Sequence, residues 1–250
     1  MKLEVKNVGK HFGGVQALNK VNLVVDKPEL MGLIGPNGAG KTTLTNVLDG
    51  VHKPNEGEVW LNGERVDGMP PYKIARRGLG RTFQVTRAFL RMTVMENMLV
   101  PGMALHASTG KKRLEEKAYE VLEFLTIDHL ANELGRGLSG GQQKLLELAR
   151  LLMLDPQFII LDEPFAGVHP KLQETIYGYI DKVKGEGKAI ILISHDMSSI
   201  FTLSDRLVVL NFGEIIADGD PKEVRQDPAV IEAYLGEEEA EEDLEEQGDG

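Results

Sequence analysis

The chain has 250 residues, 42% hydrophobic and 27% charged, long enough to build two lobes around a sizeable core. Its formal net charge is -11, but residues 237–250 hold nine acids and no base; without them 30 acids face 28 bases, so the body has no charge footprint for nucleic acid. There is no cysteine, which excludes disulfides, thiolate zinc sites and a cysteine nucleophile and suits a reducing compartment.

The start, Met1-Lys2-Leu3-Glu4-Val5-Lys6, lacks the apolar stretch of a signal peptide. Nowhere is there a run of about 18 apolar residues, so any role at a membrane needs another chain to cross the bilayer. The first sixty-odd residues read as strands and turns. Val21, Leu23 and Val25 alternate as a half-buried strand does. Asn62-Gly63 between Val59-Trp60-Leu61 and Glu64-Arg65-Val66 predicts a hairpin. Leu30 to Ile34 is a strand-sized apolar run feeding a glycine-rich loop, and Leu44, Val47 and Leu48 then space as a helix that Gly50 can end.

From about residue 86 to 155 the pattern turns helical. Met92, Val94, Met95, Met98 and Leu99 predict one helix, Lys111 to Leu125 a second, with Gly102 to Gly110 as a loop between them. A third runs from about Gly141 to Leu154 and stops at Asp155-Pro156. This stretch reads as a helical lobe inserted in an α/β body. Strands return with Phe158-Ile159-Ile160-Leu161 and Ala189 to Ile193, continuous apolar runs typical of parallel strands covered on both faces. A helix around Leu172 to Val183 separates them, and Leu207 to Leu210 and Glu214 to Ile216 flank a turn at Asn211-Phe212-Gly213. The acidic end at 237–250 reads as a solvated, disordered tail.

Gly35-Pro36-Asn37-Gly38-Ala39-Gly40-Lys41-Thr42 matches the phosphate-loop pattern GxxxxGK[ST]. Glycines let backbone N–H groups turn inward around phosphate oxygens, and the following helix points its positive end at the anion. Lys41 supplies a point charge for the β and γ phosphates; Thr42, with Thr43 beside it, offers a hydroxyl to Mg²⁺. Asp162 and Glu163 end a buried strand, where open α/β sheets bind ligands. There Asp162 can hold Mg²⁺ through water, and Glu163 can deprotonate an attacking water. His195 ends another apolar strand, which leaves open an ordinary polar loop position or a contact with the γ phosphate.

Leu138-Ser139-Gly140-Gly141-Gln142, with the phosphate loop before it and the Asp-Glu strand 16 residues after it, resembles the ABC-transporter nucleotide-binding subunits. The resemblance covers about residues 2–236 and implies an α/β fold: a P-loop NTPase (RecA-like) core with an N-terminal antiparallel β subdomain and the inserted α-helical subdomain. It implies ATP and Mg²⁺ as cofactors and a head-to-tail dimer, in which Ser139, Gly140, Gly141 and Gln142 of one subunit receive the γ phosphate held by the other. Phe12 matches the aromatic that stacks on adenine, Gln84 the glutamine that touches Mg²⁺ and water and links to the membrane subunit, and His195 the switch histidine. His169 stands where many members have aspartate, which bears on coupling across the dimer.

Within the family, Gly80-Arg81-Thr82-Phe83-Gln84, Met92-Thr93-Val94-Met95-Glu96-Asn97 and Val230 to Gly236 look like the branched-chain amino-acid importer ATPases, the first of the two in such systems. The partners this implies are a second ATPase subunit, transmembrane permease subunits and, indirectly, a substrate-binding protein, with the chain on the cytoplasmic face of the membrane and no nucleic acid. ATPases for urea, amides or lipopolysaccharide export share parts of the pattern. A soluble ABC ATPase acting on nucleic acid would carry two halves or long coiled coils, and a GTPase would carry a guanine motif; neither feature is present. His11, His52, His106 and His129 show no metal-ligand spacing, and Trp60 reads as core or hairpin packing.

Overall fold

The computed structural model describes residues 1–83, 87–105 and 110–234. In chain order the elements are β1 (Leu3–Phe12), β2 (Val15–Val25), β3 (Leu30–Ile34), α1 (Lys41–Leu48), β4 (Glu56–Leu61) and β5 (Glu64–Arg65). There follow α2 (Pro71–Ala75), β6 (Leu79–Arg81), α3 (Val94–Leu105), α4 (Lys111–Phe124) and α5 (Gly140–Leu154). The chain continues with β7 (Phe158–Asp162), α6 (Pro170–Gly185), β8 (Ala189–Ile193), α7 (Met197–Leu203), β9 (Arg206–Asn211), β10 (Glu214–Gly219) and α8 (Pro221–Val224). Its contacts divide it into two units, Met1–Ile74 with Ile191–Gly250, and Ala75–Ile190, so that the division falls inside β8.

In the first unit β1, β2, β4 and β5 form an antiparallel sheet in the order β2-β1-β4-β5. The alternation read at Val21, Leu23 and Val25 puts all three in the core, with Asn22 and Val24 exposed between them. The Asn62-Gly63 turn has positive φ at both residues, 52° and 81°, the twist a two-residue hairpin needs. Trp60 is half-buried on β4, its Nε1 donating to Glu58, so it is a hairpin side chain rather than a core one. The same unit holds β3 parallel to β9, with Gly32 opposite Leu207 and Ile34 opposite Val209, and β10 antiparallel on β9. Every residue of β3 is buried, as its unbroken apolar run requires.

The second unit holds β6 parallel to β7 and the helices α3 to α6. Leu114, Ala118, Val121 and Leu122 of α4 turn inward, as the helical spacing predicts. Two features differ from the sequence reading. Three residues, Leu79 to Arg81, suffice for β6 and carry no periodicity to recognise. The loop expected from Gly102 also begins later, because α3 runs through Pro101 and Gly102 to Leu105. Gly102 is closely packed there: a Cβ would lie 3.1 Å from Leu114 Cδ2 and 3.3 Å from Met153 Cε, so a side chain would press on both neighbours.

The start of α3 is wired by polar groups. Thr93 and Glu96 form a reciprocal cap, Thr93 N–H donating to Glu96 Oε2 at 2.8 Å and Glu96 N–H to Thr93 Oγ1 at 3.1 Å. Asn97, fully buried, accepts from Phe89 N–H at 2.8 Å and donates to the carbonyls of Phe89, Met92 and Thr93. Truncating it takes the partner from Phe89 N–H and one of two donors from each of the Phe89, Met92 and Thr93 carbonyls. Asn97→Ala is therefore expected to lower unfolding free energy by about 2–3 kcal/mol, read from the urea midpoint at unchanged slope.

Candidate nucleotide site

In the first unit the apolar β3 is followed at once by Gly35, and the loop to Lys41 needs backbone that only glycine enters readily. Gly35, Gly38 and Gly40 have φ of 146°, 76° and 107°. At Gly35 a side chain is also excluded by contact, since a Cβ would sit 2.0 Å from the Leu210 carbonyl oxygen. The loop is anchored to the β9–β10 turn, where Gly213 N–H donates to Ala39 O at 2.9 Å. Lys41 folds over its own loop, Nζ donating to the carbonyls of Gly35 and, at 2.9 Å, Pro36. Asn37, Gly38 and Thr42 are exposed, Lys41 and Thr43 half-buried, so the open face of the loop carries a cation, hydroxyls and a helix start.

These features fit a phosphate chain: a cradle of left-handed glycines, the first of them with no room for a Cβ, and a lysine bridging it. Phe12 is 45% exposed, enough for a flat ring to stack on, with His52 edge-on at 5.2 Å and Lys10 Nζ 4.9 Å from its centre. His195 is exposed after buried Ser194. Beyond it Asp196 caps α7, accepting from the Ser199 hydroxyl at 2.5 Å and the Ser199 N–H, which together hold its carboxyl below the usual range.

In the second unit β7 is buried throughout and ends in Asp162; Asp162 and Glu163 are both buried. Glu163 has a left-handed backbone, φ 49°, a sparsely populated conformation for a side chain of its size. Arg81 Nη2 donates to Asp162 Oδ2 at 2.8 Å, and Asp162 N–H donates to Thr82 Oγ1 at 3.0 Å. Among the described residues no cluster of three acids or histidines makes a metal cage. The buried Asp162 carboxylate is a donor of the kind that fits Mg²⁺, which is ordinarily bound through one or two carboxylates with phosphate oxygens and water.

Gln84 lies outside the described residues, but the segment entering it is fixed. Phe83 N–H donates to Glu147 Oε1 at 3.0 Å, and Lys144 Nζ donates to Phe83 O at 3.1 Å. Burial pushes the Glu147 carboxyl up, against the pull of these donors, and pushes the Arg150 guanidinium down. Phe83, Arg87, Phe89 and Arg150 line a cleft of about 320 Å³ in this unit. Sequence reasoning missed Arg81, Lys144, Glu147 and Arg150; the available signal was two charges, Lys144 and Glu147, at buried positions of an otherwise apolar helix face.

Helix α5 begins as a capping box at Ser139. Its Oγ accepts from Gln142 N–H at 3.3 Å, and Gln142 Oε1 accepts from Ser139 N–H at 2.9 Å. At Gly141 a Cβ would meet Leu172 Cδ1 at 3.0 Å, a tight contact, whereas at Gly140 nothing lies within 4 Å. Ser139 and Gly140 are exposed. His169 caps α6, its Nδ1 accepting from Lys171 N–H at 3.3 Å, a role that needs that nitrogen unprotonated.

Fold and loops define a P-loop ATPase of the ATP-binding cassette type. The ABC transporter family model matches residues 18–166, and that for branched-chain amino acid ATP-binding cassette transporters matches 214–240. The chain belongs to the ABC transporter ATP-binding family, in its branched-chain amino acid importer group, and is an ATPase of an ABC importer. It is 41% identical to the high-affinity branched-chain amino acid transport ATP-binding protein BraF of Pseudomonas aeruginosa, over 94% of this chain and 98% of that one. It is 37% identical to a probable LivG of Archaeoglobus fulgidus, over 96% and 97% respectively. Among solved structures, the ADP conformation of MJ1267, an ATP-binding cassette of an ABC transporter, superposes with a TM-score of 0.83 at 36% identity, covering 94% of this chain and 99% of that one. A dimeric post-hydrolysis cassette, MJ0796 bound to ADP and phosphate, gives 0.80 at 27% identity, covering 88% and 98%.

Gly35→Ala adds a carbonyl collision to left-handed strain, whereas Gly38→Ala adds the strain alone. The first is expected to cost at least about 1 kcal/mol more stability than the second, by parallel urea titrations, and to abolish nucleotide binding.

Proposed function

We propose that the chain powers import of branched-chain amino acids, pairing head to tail with a second ATPase subunit and driving separate permease subunits fed by a substrate-binding protein. The observation that carries the proposal is the start of α5. Ser139 and Gly140 are exposed, the capping box spends its two hydrogen bonds on the amides of Ser139 and Gln142, and among the described residues no heavy atom lies within 4 Å of where a Gly140 side chain would stand. An anion-binding helix start left open in this way is half a site, and the γ phosphate on a partner's loop is the ligand it suits.

The residue roles follow the chemistry. Phe12 stacks on the base, Gly35 to Thr43 wrap the phosphates, and Thr42, Gln84 and Asp162 hold Mg²⁺. A bound Mg²⁺ neutralises charge on the β and γ phosphates and orients them. Glu163 takes a proton from the attacking water, and His195 steadies the γ phosphate. His169 fixes the start of α6 where the usual aspartate would act across the dimer. We assign residues 1–236 to one ATPase domain with a helical insertion at about 86–155, and treat 237–250 as an acidic tail. Among the described residues no helix is long and apolar enough to cross a membrane. As the ATP-binding component of a transporter the chain is placed at the inner face of the cell membrane, with the permease seated at the cleft beside Phe83, Arg87 and Arg150.

Glu163→Gln is expected to slow phosphate release at least ~100-fold while leaving binding of a fluorescent ATP analogue within about twofold. The same variant should form an ATP-dependent dimer by light scattering, and Lys41→Ala should not. Hydrolysis at the wild-type rate by Glu163→Gln would remove Glu163 from its role, and a monomer at saturating ATP would remove the dimer.

A further inference from the structure

Arg81 has no part in the roles assigned above, yet it touches one of them directly. Its guanidinium donates to Asp162 Oδ2 at 2.8 Å, with the two side chains 4% and 9% exposed. The contact is built into the strands. Arg81 lies opposite Ile160 in the parallel β6–β7 register, Thr82 N–H donates to Ile160 O at 2.9 Å, and Thr82 Oγ1 accepts from Asp162 N–H. The segment that supplies the cation thus also holds the backbone of the carboxylate.

Two consecutive buried carboxylates, Asp162 and Glu163, are costly without positive charge beside them. The buried Lys144 and the half-buried Arg150 of this unit are engaged elsewhere. Lys144 donates to Phe83 O and pairs with Glu147 at 3.9 Å; Arg150 donates to Arg87 O and lies over Phe89. Arg81 therefore does for Asp162 what a metal cation would do.

We infer that Arg81 is a built-in counter-ion that competes with Mg²⁺ for Asp162, so that loading of the metal–nucleotide complex requires the guanidinium to give up this oxygen. The inference rests on the reading of Asp162 as a Mg²⁺-holding carboxylate. A guanidinium in hydrogen-bond contact occupies a carboxylate lone pair and sets a positive charge beside the group that would hold the dication, and two such charges repel. The backbone beyond is pinned, since Phe83 N–H and C=O are held by Glu147 and Lys144. The response is therefore a swing of the Arg81 side chain, which leads directly into the segment carrying Gln84. Arg81 is a positioning residue: it offsets the charge of Asp162 and makes occupancy of that carboxylate by Mg²⁺ contingent on nucleotide.

The test uses the full chain, a fluorescent ADP analogue and Mg²⁺ titrations at one mildly alkaline pH, with melting temperature measured free of metal and nucleotide. Arg81→Met should lower the Mg²⁺ midpoint at least about fivefold and lower the metal-free melting temperature, whereas Arg81→Lys should keep most of the wild-type midpoint. A group that merely oriented Asp162 would give the opposite sign, so an unchanged or raised midpoint in Arg81→Met overturns the inference. If Arg81→Met does not fold, Arg81→Gln removes the same charge and carries the same expectation. In wild type, the Arg81 side-chain ¹⁵N signal, assigned with Arg81→Lys, should move with Mg·ADP and not with ADP alone; no movement counts against competition. Asp162→Asn separates the two layers. If it leaves the midpoint unchanged, the metal reading of Asp162 falls and the inference with it; if it raises the midpoint while Arg81→Met does nothing, only the inference fails.

Discussion

The site depends on one constraint: strands buried on both faces have nowhere to carry polar chemistry except their ends. All five residues of β3, of β7 and of β8 are buried, and all are apolar apart from Gly32 and the terminal Asp162. Each strand delivers its functional residues as it stops: β3 opens into Gly35 and the phosphate loop, β7 ends in Asp162 and Glu163, and β8 gives way to Ser194 and His195. Apolar burial fixes the strands firmly, and the groups at their ends inherit that rigidity. The strain recorded at Glu163, a left-handed glutamate, is tolerable because a fully buried strand precedes it.

What was legible in the sequence is what depends on short-range chemistry. The phosphate loop, the Asn62-Gly63 hairpin and the stop at Asp155-Pro156 each follow from local backbone preferences, and each appears where it was expected. Strand β6 was not legible, because three residues held by pairing with β7 leave no period to read. The extension of α3 through Pro101 and Gly102 was not legible either. Both residues argue locally for a break, and the neighbours packed against the glycine, Leu114 and Met153, lie at long range. Gln84 had a strong sequence signal and falls outside the described residues, so its placement adds nothing to that signal.

The charges missed in the sequence form a coherent group. Lys144, Glu147 and Arg150 stand on one helix, and the first two hold Phe83 by both of its backbone polar groups. Buried charge of this kind contributes little net stability, because desolvation offsets most of the attraction. Its effect is on geometry: Phe83 has one place to be, and the residues after it start from a fixed point. Arg81 and Thr82 do the same for Asp162 from the other end of the same short segment.

The two halves of the proposed site are built on opposite principles. At the phosphate loop the chain satisfies itself: Lys41 donates to its own loop carbonyls, and φ values reachable by glycine hold the cradle open. At α5 the capping box uses the Ser139 oxygen as an acceptor and the Gln142 side chain as its return. The next helix amides and the Ser139 hydroxyl proton are left facing outward from an exposed start. A loop that is self-satisfied can bind nucleotide alone. A helix start with unspent donors and no ligand of its own gains only when an anion is brought to it, and a second chain carrying a triphosphate brings that anion already positioned. It is on this difference, rather than on the presence of the phosphate loop, that the proposed ATP-dependent dimer rests.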